Sequence, residues 1–311
     1  MARRQARRDP VLSMANEATL SASLPLWREY YELCKPRVVA LIVFTAVVGM
    51  FLATPGMVPM VPFVFGSLGI ALGAASGAAI NQLVERRTDA VMARTMNRPL
   101  PAGRLDTGSA LVFAGLLGFL SMTVLVTFVN TLTALLTFLS MIGYAVVYTL
   151  YLKRATPQNI VIGGAAGATP PVLGWTAITG QVDPQALFLF LIIFAWTPPH
   201  FWALAVHRHK EYAKADVPML PVTHGLKYTR LHILLYTIVL FLVTLLPFAT
   251  HMSGWLYLSG ALLLGAGFLY YAIVLYRTGD SRLAMKTFGY SIVYLMGLFT
   301  FLLVDHYMPV L

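Results

Sequence analysis

Charge is scarce in this chain. Of its 311 residues only 11% are Asp, Glu, Lys or Arg, against about 25% in an ordinary soluble domain. With 58% of the residues hydrophobic, too little polar surface remains to cover one water-soluble core. A soluble globular enzyme, a disordered chain and a coiled coil are all excluded by those figures. Cysteine is nearly absent too. Cys34 is the single thiol, which excludes an internal disulfide and a cysteine metal cluster. Acidic residues number 12 against 22 basic ones, a net charge of +10. In a soluble chain that excess would suggest nucleic acid. Here basic loops between membrane spans explain it, and no nucleic-acid partner is expected. The mean hydropathy of +0.74 names lipid as the main solvent.

What is present is a succession of apolar runs. About 20 such residues cross a bilayer as a helix, and nine candidate spans are read: 38–55, 62–82, 107–127, 131–150, 160–179, 186–206, 231–249, 254–275 and 287–305. No dyad alternation suggests a barrel. The expected fold is therefore an all-α membrane protein, a bundle of nine transmembrane helices. The link around Asn130 is short enough to make spans three and four a tight hairpin. With nine spans, all 22 Lys and Arg residues fall on one side of the membrane. That distribution puts the N-terminus on the cytoplasmic side. No cleavable signal is visible, and Asp9 and Glu17 argue against a mitochondrial presequence. A bacterial inner (plasma) membrane is expected rather than the mitochondrial inner membrane. The organisation read is a basic polar arm, 1–34, and a single polytopic domain, 35–311. Gly/Ala runs at 69–79 and 163–168 read chiefly as close helix packing.

Two long loops on the basic side, 81–106 and 207–230, carry the patterned polar residues. In the first, Asn81, Glu85 and Asp89 are spaced by four and share one helix face. One amide and two carboxylates in a row suit a hard divalent cation, Mg²⁺ above all, which takes few carboxylates and bridges to phosphates. Arg94 and Arg98, also four apart, would aim two guanidinium forks at the same region before Pro99 and Pro101 stop the helix. The alternative is a solvated juxtamembrane helix end with inert i,i+4 ion pairs. Acidic groups at the membrane boundary demand partners, which favours the functional reading. Leading into the second loop, His200, within the sixth span, and His207 are seven apart and share a face, about 10 Å apart along a helix. Such imidazoles suit iron ligation or proton handling. His209, His224, His232, His251 and His306 read as satisfied polar residues.

At these residues the chain resembles the UbiA-type intramembrane prenyltransferases, and within them the branch that farnesylates haem. The resemblance runs from Lys35-Pro36-Arg37 to the ninth span. The family pattern NxxxDxxxD is met by Asn81, Glu85 and Asp89, with the middle position departing to Glu. The strings MARTMNRPLPAG (92–103), TPPHFWALA (197–205) and DVPMLPV (216–222) are similar to the haem branch. Where many relatives carry a second acidic motif, His200 and His207 stand here.

The resemblance implies helices around a central cavity, farnesyl diphosphate and haem b as substrates, and haem O as product. It implies Mg²⁺ as cofactor, held by Asn81, Glu85 and Asp89. Arg94, Arg98 and Lys153 would neutralise the diphosphate. Tyr148 would line the cavity, and His200 and His207 would ligate haem iron or act as bases. A downstream haem A synthase or oxidase assembly is the implied partner, beside the lipid bilayer. A quinone-precursor or other aromatic acceptor is the nearer alternative, and it predicts an acidic second loop. A transporter is the farther one. It predicts charges near mid-bilayer, whereas the spans carry no Lys or Arg.

Overall fold

The computed structural model describes residues 25–308, and every regular element among them is helical. The chain runs α1 (Leu26–Leu33), α2 (Pro36–Leu52), α3 (Met60–Asp89), α4 (Thr107–Phe128) and α5 (Thr131–Ala155). It continues through α6 (Asn159–Ala168), α7 (Pro170–Thr179), α8 (Pro184–His207), α9 (His209–Lys214) and α10 (Leu220–Thr223). Three long helices follow: α11 (Gly225–Ala249), α12 (Trp255–Thr278) and α13 (Ser281–Tyr307). Residues 1–24 of the basic arm lie outside the described residues, and the end of the arm is α1.

Seven helices are long and apolar enough to cross a membrane: α3, α4, α5, α8, α11, α12 and α13. The first and fifth expected spans differ from them. Helix α2 has 17 residues and meets α1 at a bend of 50°, the two together forming one candidate broken span. The fifth is split at Thr169 into two ten-residue helices. The Pro170-Pro171 pair explains the break, because neither ring nitrogen can donate to the preceding turn.

The outer surface has the character lipid requires. Leu111, Val112, Phe119 and Leu263 stand more than 60% exposed. Helix ends inside such a medium must have their free N–H groups met. Asp106 accepts from the Ser109 amide at 2.9 Å. Asn130 accepts from the Thr133 amide at 2.8 Å and donates to the Thr176 carbonyl at 2.8 Å. That one side chain closes the expected α4–α5 hairpin and ties it to α7.

Small residues set the helix spacing, as their runs suggest. Ser121 donates to the Gly69 carbonyl at 2.6 Å and Ser76 to the Ala114 carbonyl at 2.8 Å, drawing α3 against α4. Helices α2 and α7 meet backbone to backbone. A Cβ on Gly174 would lie 1.9 Å from the Ala46 carbonyl oxygen, and one on Gly49 2.2 Å from that of Pro171. Helix α5 is not regular throughout. Gly143–Leu152 is a ten-residue π-helix, in which the Thr149 hydroxyl donates to the Tyr144 carbonyl five residues back at 2.8 Å. Wide turns of this kind cluster at functional sites.

Gly174→Val must push α2 and α7 apart. It should cost at least about 1–3 kcal/mol, seen as a lower unfolding temperature by circular dichroism in detergent. Gly115→Val, where a Cβ meets nothing within 4 Å, should leave that temperature nearly unchanged. Equal effects from the two substitutions would refute the close-approach account.

Candidate active site

Helix α3 carries Asn81, Glu85 and Asp89 on one buried face near its basic end. Each meets a cation supplied by a different part of the chain. Lys35, between α1 and α2, donates to Asn81 Oδ1. Lys153, at the end of α5, pairs with Glu85. Arg98, from the segment after α3, donates to Asp89 Oδ2 at 2.7 Å. Asn81 uses its amide as well, donating from Nδ2 to Thr149 Oγ1 at 3.1 Å. The π-helix of α5 thus presents Thr149 to one end of the row, and Lys153, directly after it, reaches the middle.

The local sequence explains how Lys35 reaches its place. Gln82, buried on α3, donates to the Glu32 and Leu33 carbonyls at 3.2 and 3.0 Å. Those are end-of-helix acceptors of α1, so Gln82 caps it and fixes the turn that follows. Lys35 there adopts φ 51°, a left-handed conformation that costs a non-glycine residue about 1–2 kcal/mol. Arg104 fastens the same region from outside, donating to Glu29 Oε1 at 2.9 Å and to the Asn97 carbonyl at 2.8 Å.

The arginines correct one expectation. Helix α3 ends at Asp89, and 90–103 is a chain of turns, so Arg94 and Arg98 do not share a helix face. Thr95 Oγ1 donates to the Asp89 carbonyl at 3.0 Å and closes the helix end well before Pro99. Arg98 folds back onto the row, while Arg94 is exposed. Arg94 lies near Tyr212, whose hydroxyl burial pushes up while Arg94 and Arg208 pull it down.

Two carboxylates one helical turn apart and an amide oxygen fit a hard cation that keeps waters and phosphate in its shell. Among the described residues no three Asp, Glu, His or Cys groups gather at one point. Mg²⁺ on this row would thus depend on substrate oxygens to complete its shell. Tyr148 borders the row on α5, stacked with Tyr144 at 5.9 Å between centroids. A Cβ on Gly163 would strike the Tyr148 ring at 2.1 Å, and one on Gly77 would lie 3.5 Å from Tyr144. Gly163 on α6 therefore makes room for the Tyr148 ring, and Gly77 on α3 lies in contact range of Tyr144.

The two histidines share a face of α8, as their spacing predicts, and both turn to α13. His200 is buried and lies 2.6 Å from Ser291 Oγ through Nδ1. His207 is exposed at the helix end, with Nδ1 3.0 Å from the Ser281 carbonyl oxygen. The protein groups bonded to the row come from α1–α2, the turns after α3, and α5, so the histidines form a second constellation. Sequence reasoning missed Lys35 as a site residue, and also Thr149, Tyr144 and Ser291. Only Lys35 had a signal, a lysine directly before the proline that opens a span.

An all-helical membrane bundle with an Asn/Glu/Asp row facing three cations is the architecture of an intramembrane prenyltransferase. The chain belongs to the UbiA prenyltransferase family, whose model matches residues 42–302. It is 61% identical over 296 residues to a protein of Nitrosococcus oceani named protoheme IX farnesyltransferase, covering 95% of this chain and 99% of that one. It is 62% identical over 281 residues to the protein of that name from Methylococcus capsulatus, covering 90% and 94%. Among solved structures, digeranylgeranylglyceryl phosphate synthase superposes with TM-score 0.77 at 17% identity, covering 91% and 99%. A UbiA homologue from Archaeoglobus fulgidus bound to DMAPP and Mg²⁺ does so with TM-score 0.60 at 16% identity, covering 88% and 99%. At such identities the two structures establish the fold.

Lys153→Met leaves the Glu85 carboxylate at the membrane boundary without its cation. It should cost about 1–3 kcal/mol of stability, and adding Glu85→Leu should return most of the loss. Denaturant unfolding of the two single variants and the double variant measures the coupling. Strictly additive effects would show that the pair contributes nothing.

Proposed function

We propose that this protein transfers the farnesyl group of farnesyl diphosphate to a vinyl group of haem b, with addition of water, giving haem O and diphosphate. The observation that carries the reading is the Asn81–Glu85–Asp89 row with Lys35, Lys153 and Arg98 facing it. The relatives' shared name supplies the acceptor. Asn81, Glu85 and Asp89 offer the oxygens for Mg²⁺, which when bound screens the diphosphate and weakens the C1–O bond.

The chain's own groups account for the remaining steps. Lys35, Lys153 and Arg98 leave the row's oxygens for those of the diphosphate and hold its charge as the bond breaks. Arg94, exposed beside the site, extends the same field outward. Tyr144 and Tyr148 keep the forming allylic cation away from water. The vinyl π pair bonds to C1 of the farnesyl chain, and the C1–O pair leaves with the diphosphate. Water then adds to the new cation beside the porphyrin and loses one proton. His200 and His207 belong to the haem side of the reaction.

The same reading places the enzyme in a bacterial inner membrane. Nine spans are counted by taking α2 and the α6–α7 pair as crossings. The N-terminus is then cytoplasmic, with 1–34 as a basic arm on one domain, 35–311. A haem A synthase or oxidase assembly would take the product. An aromatic or quinone-precursor acceptor is the second reading, and the histidines in place of a second acidic motif disfavour it.

Membranes containing the protein, given haem b, farnesyl diphosphate and Mg²⁺, should yield a farnesylhydroxyethyl haem by chromatography and mass. EDTA should abolish it. Asp89→Ala should lower the yield at least about 100-fold while the protein stays folded in the membrane. Product from Asp89→Ala at the wild-type rate would remove the row from the mechanism.

A further inference from the structure

His200 is held at every edge but one. Trp196 stacks on the imidazole with centroids 4.1 Å apart and planes 19° apart. Phe288 stacks on it at 4.5 Å and 26°. Two rings cannot both lie that close on one face, so the imidazole is sandwiched. Phe201 meets it edge-on at 5.0 Å. The Trp196 indole N–H donates to the Ser291 carbonyl at 2.7 Å, so α8 grips the backbone that holds the fourth contact.

That contact decides the tautomer. The Ser291 hydroxyl donates to the Phe288 carbonyl at 2.6 Å. A hydroxyl has one proton and a carbonyl can only accept. Ser291 Oγ must therefore accept from His200 across their 2.6 Å contact, and Nδ1 carries the ring proton. A neutral imidazole has one N–H, so Nε2 keeps its lone pair. No group among the described residues hydrogen-bonds Nε2. Nor does a carboxylate touch the ring, whose contacts are Ser291, Trp196, Phe201 and Phe288. A base here would have to become an imidazolium between aromatic faces with no counter-charge. A neutral ligand to a metal needs none, and ligating imidazoles characteristically donate their other N–H to a fixed acceptor.

We propose that His200 takes the iron of the haem substrate through Nε2, and that Ser291 is the positioning residue that fixes its tautomer and ring plane. The inference rests on haem b as the acceptor. His207 differs in being exposed at the end of α8, with its Nδ1 3.0 Å from both the carbonyl oxygen and the hydroxyl of Ser281.

The test uses the full chain in detergent with haem b as the probe, reduced to the ferrous state and followed by absorbance and resonance Raman scattering. Wild-type protein should show an iron–histidine stretching band. His200→Ala should lose the band and bind haem more weakly than wild type. Ser291→Ala should keep the band but move it to lower wavenumber, since the ligand loses its hydrogen-bond acceptor, and Ser291→Thr should restore it. A band that survives His200→Ala, or vanishes instead in His207→Ala, overturns the ligand assignment. A band unmoved in Ser291→Ala overturns the positioning role, and those conservative variants serve even if His200→Ala fails to fold. Folded wild-type protein that binds no haem overturns this inference and the acceptor reading together. Haem binding with the band unchanged in His200→Ala overturns this inference alone.

Discussion

An ionised carboxylate at a membrane boundary must be paired, and this protein places two of them, Glu85 and Asp89, on one face of one helix. Their pairing organises the basic end of the molecule. Lys153 can reach Glu85 because α5 widens into a π-helix before it. Arg98 can reach Asp89 because α3 stops at Asp89 and the chain doubles back in turns. Lys35 can reach Asn81 because Gln82 caps α1 and the turn after it is held left-handed. Three separate parts of the chain converge on one row, and Arg98 ties the loop 90–106 to it.

The same pairing gives the row a second use. A diphosphate requires cations to pair with, and its metal requires hard oxygens. In the proposed function, the pairing that satisfies the row without substrate also holds the charge that a diphosphate would use. At the other constellation no charge is stored. His200 is fixed by stacking and by a serine whose one proton is already committed. The two halves of the reaction differ accordingly. In the proposed reaction the diphosphate end would rely on charge, and the acceptor end on a rigid neutral ring.

Most of the helical architecture was legible in the residues, because lipid leaves few alternatives to long apolar helices. The hairpin at Asn130, the packing role of the Gly/Ala runs and the shared face of Asn81, Glu85 and Asp89 were all readable from spacing. What was not readable depends on backbone detail that periodicity does not encode. The expected helix through Arg94 and Arg98 fails because one hydroxyl, that of Thr95, captures a carbonyl at the end of α3. The fifth run looks continuous by hydropathy but is broken at Thr169. Thr149 and Ser291 gave no signal, since a lone hydroxyl in an apolar helix usually bonds its own backbone, and both of these do so as well.

The central claim is that the row on α3 receives diphosphate together with Mg²⁺. Calorimetric titration with a non-hydrolysable farnesyl thiodiphosphate tests it without reference to any acceptor. The account predicts binding that strengthens at least about tenfold with Mg²⁺ and loses that dependence in Asp89→Asn. Binding indifferent to Mg²⁺, and equally tight in the wild type and in Asp89→Asn, would contradict it.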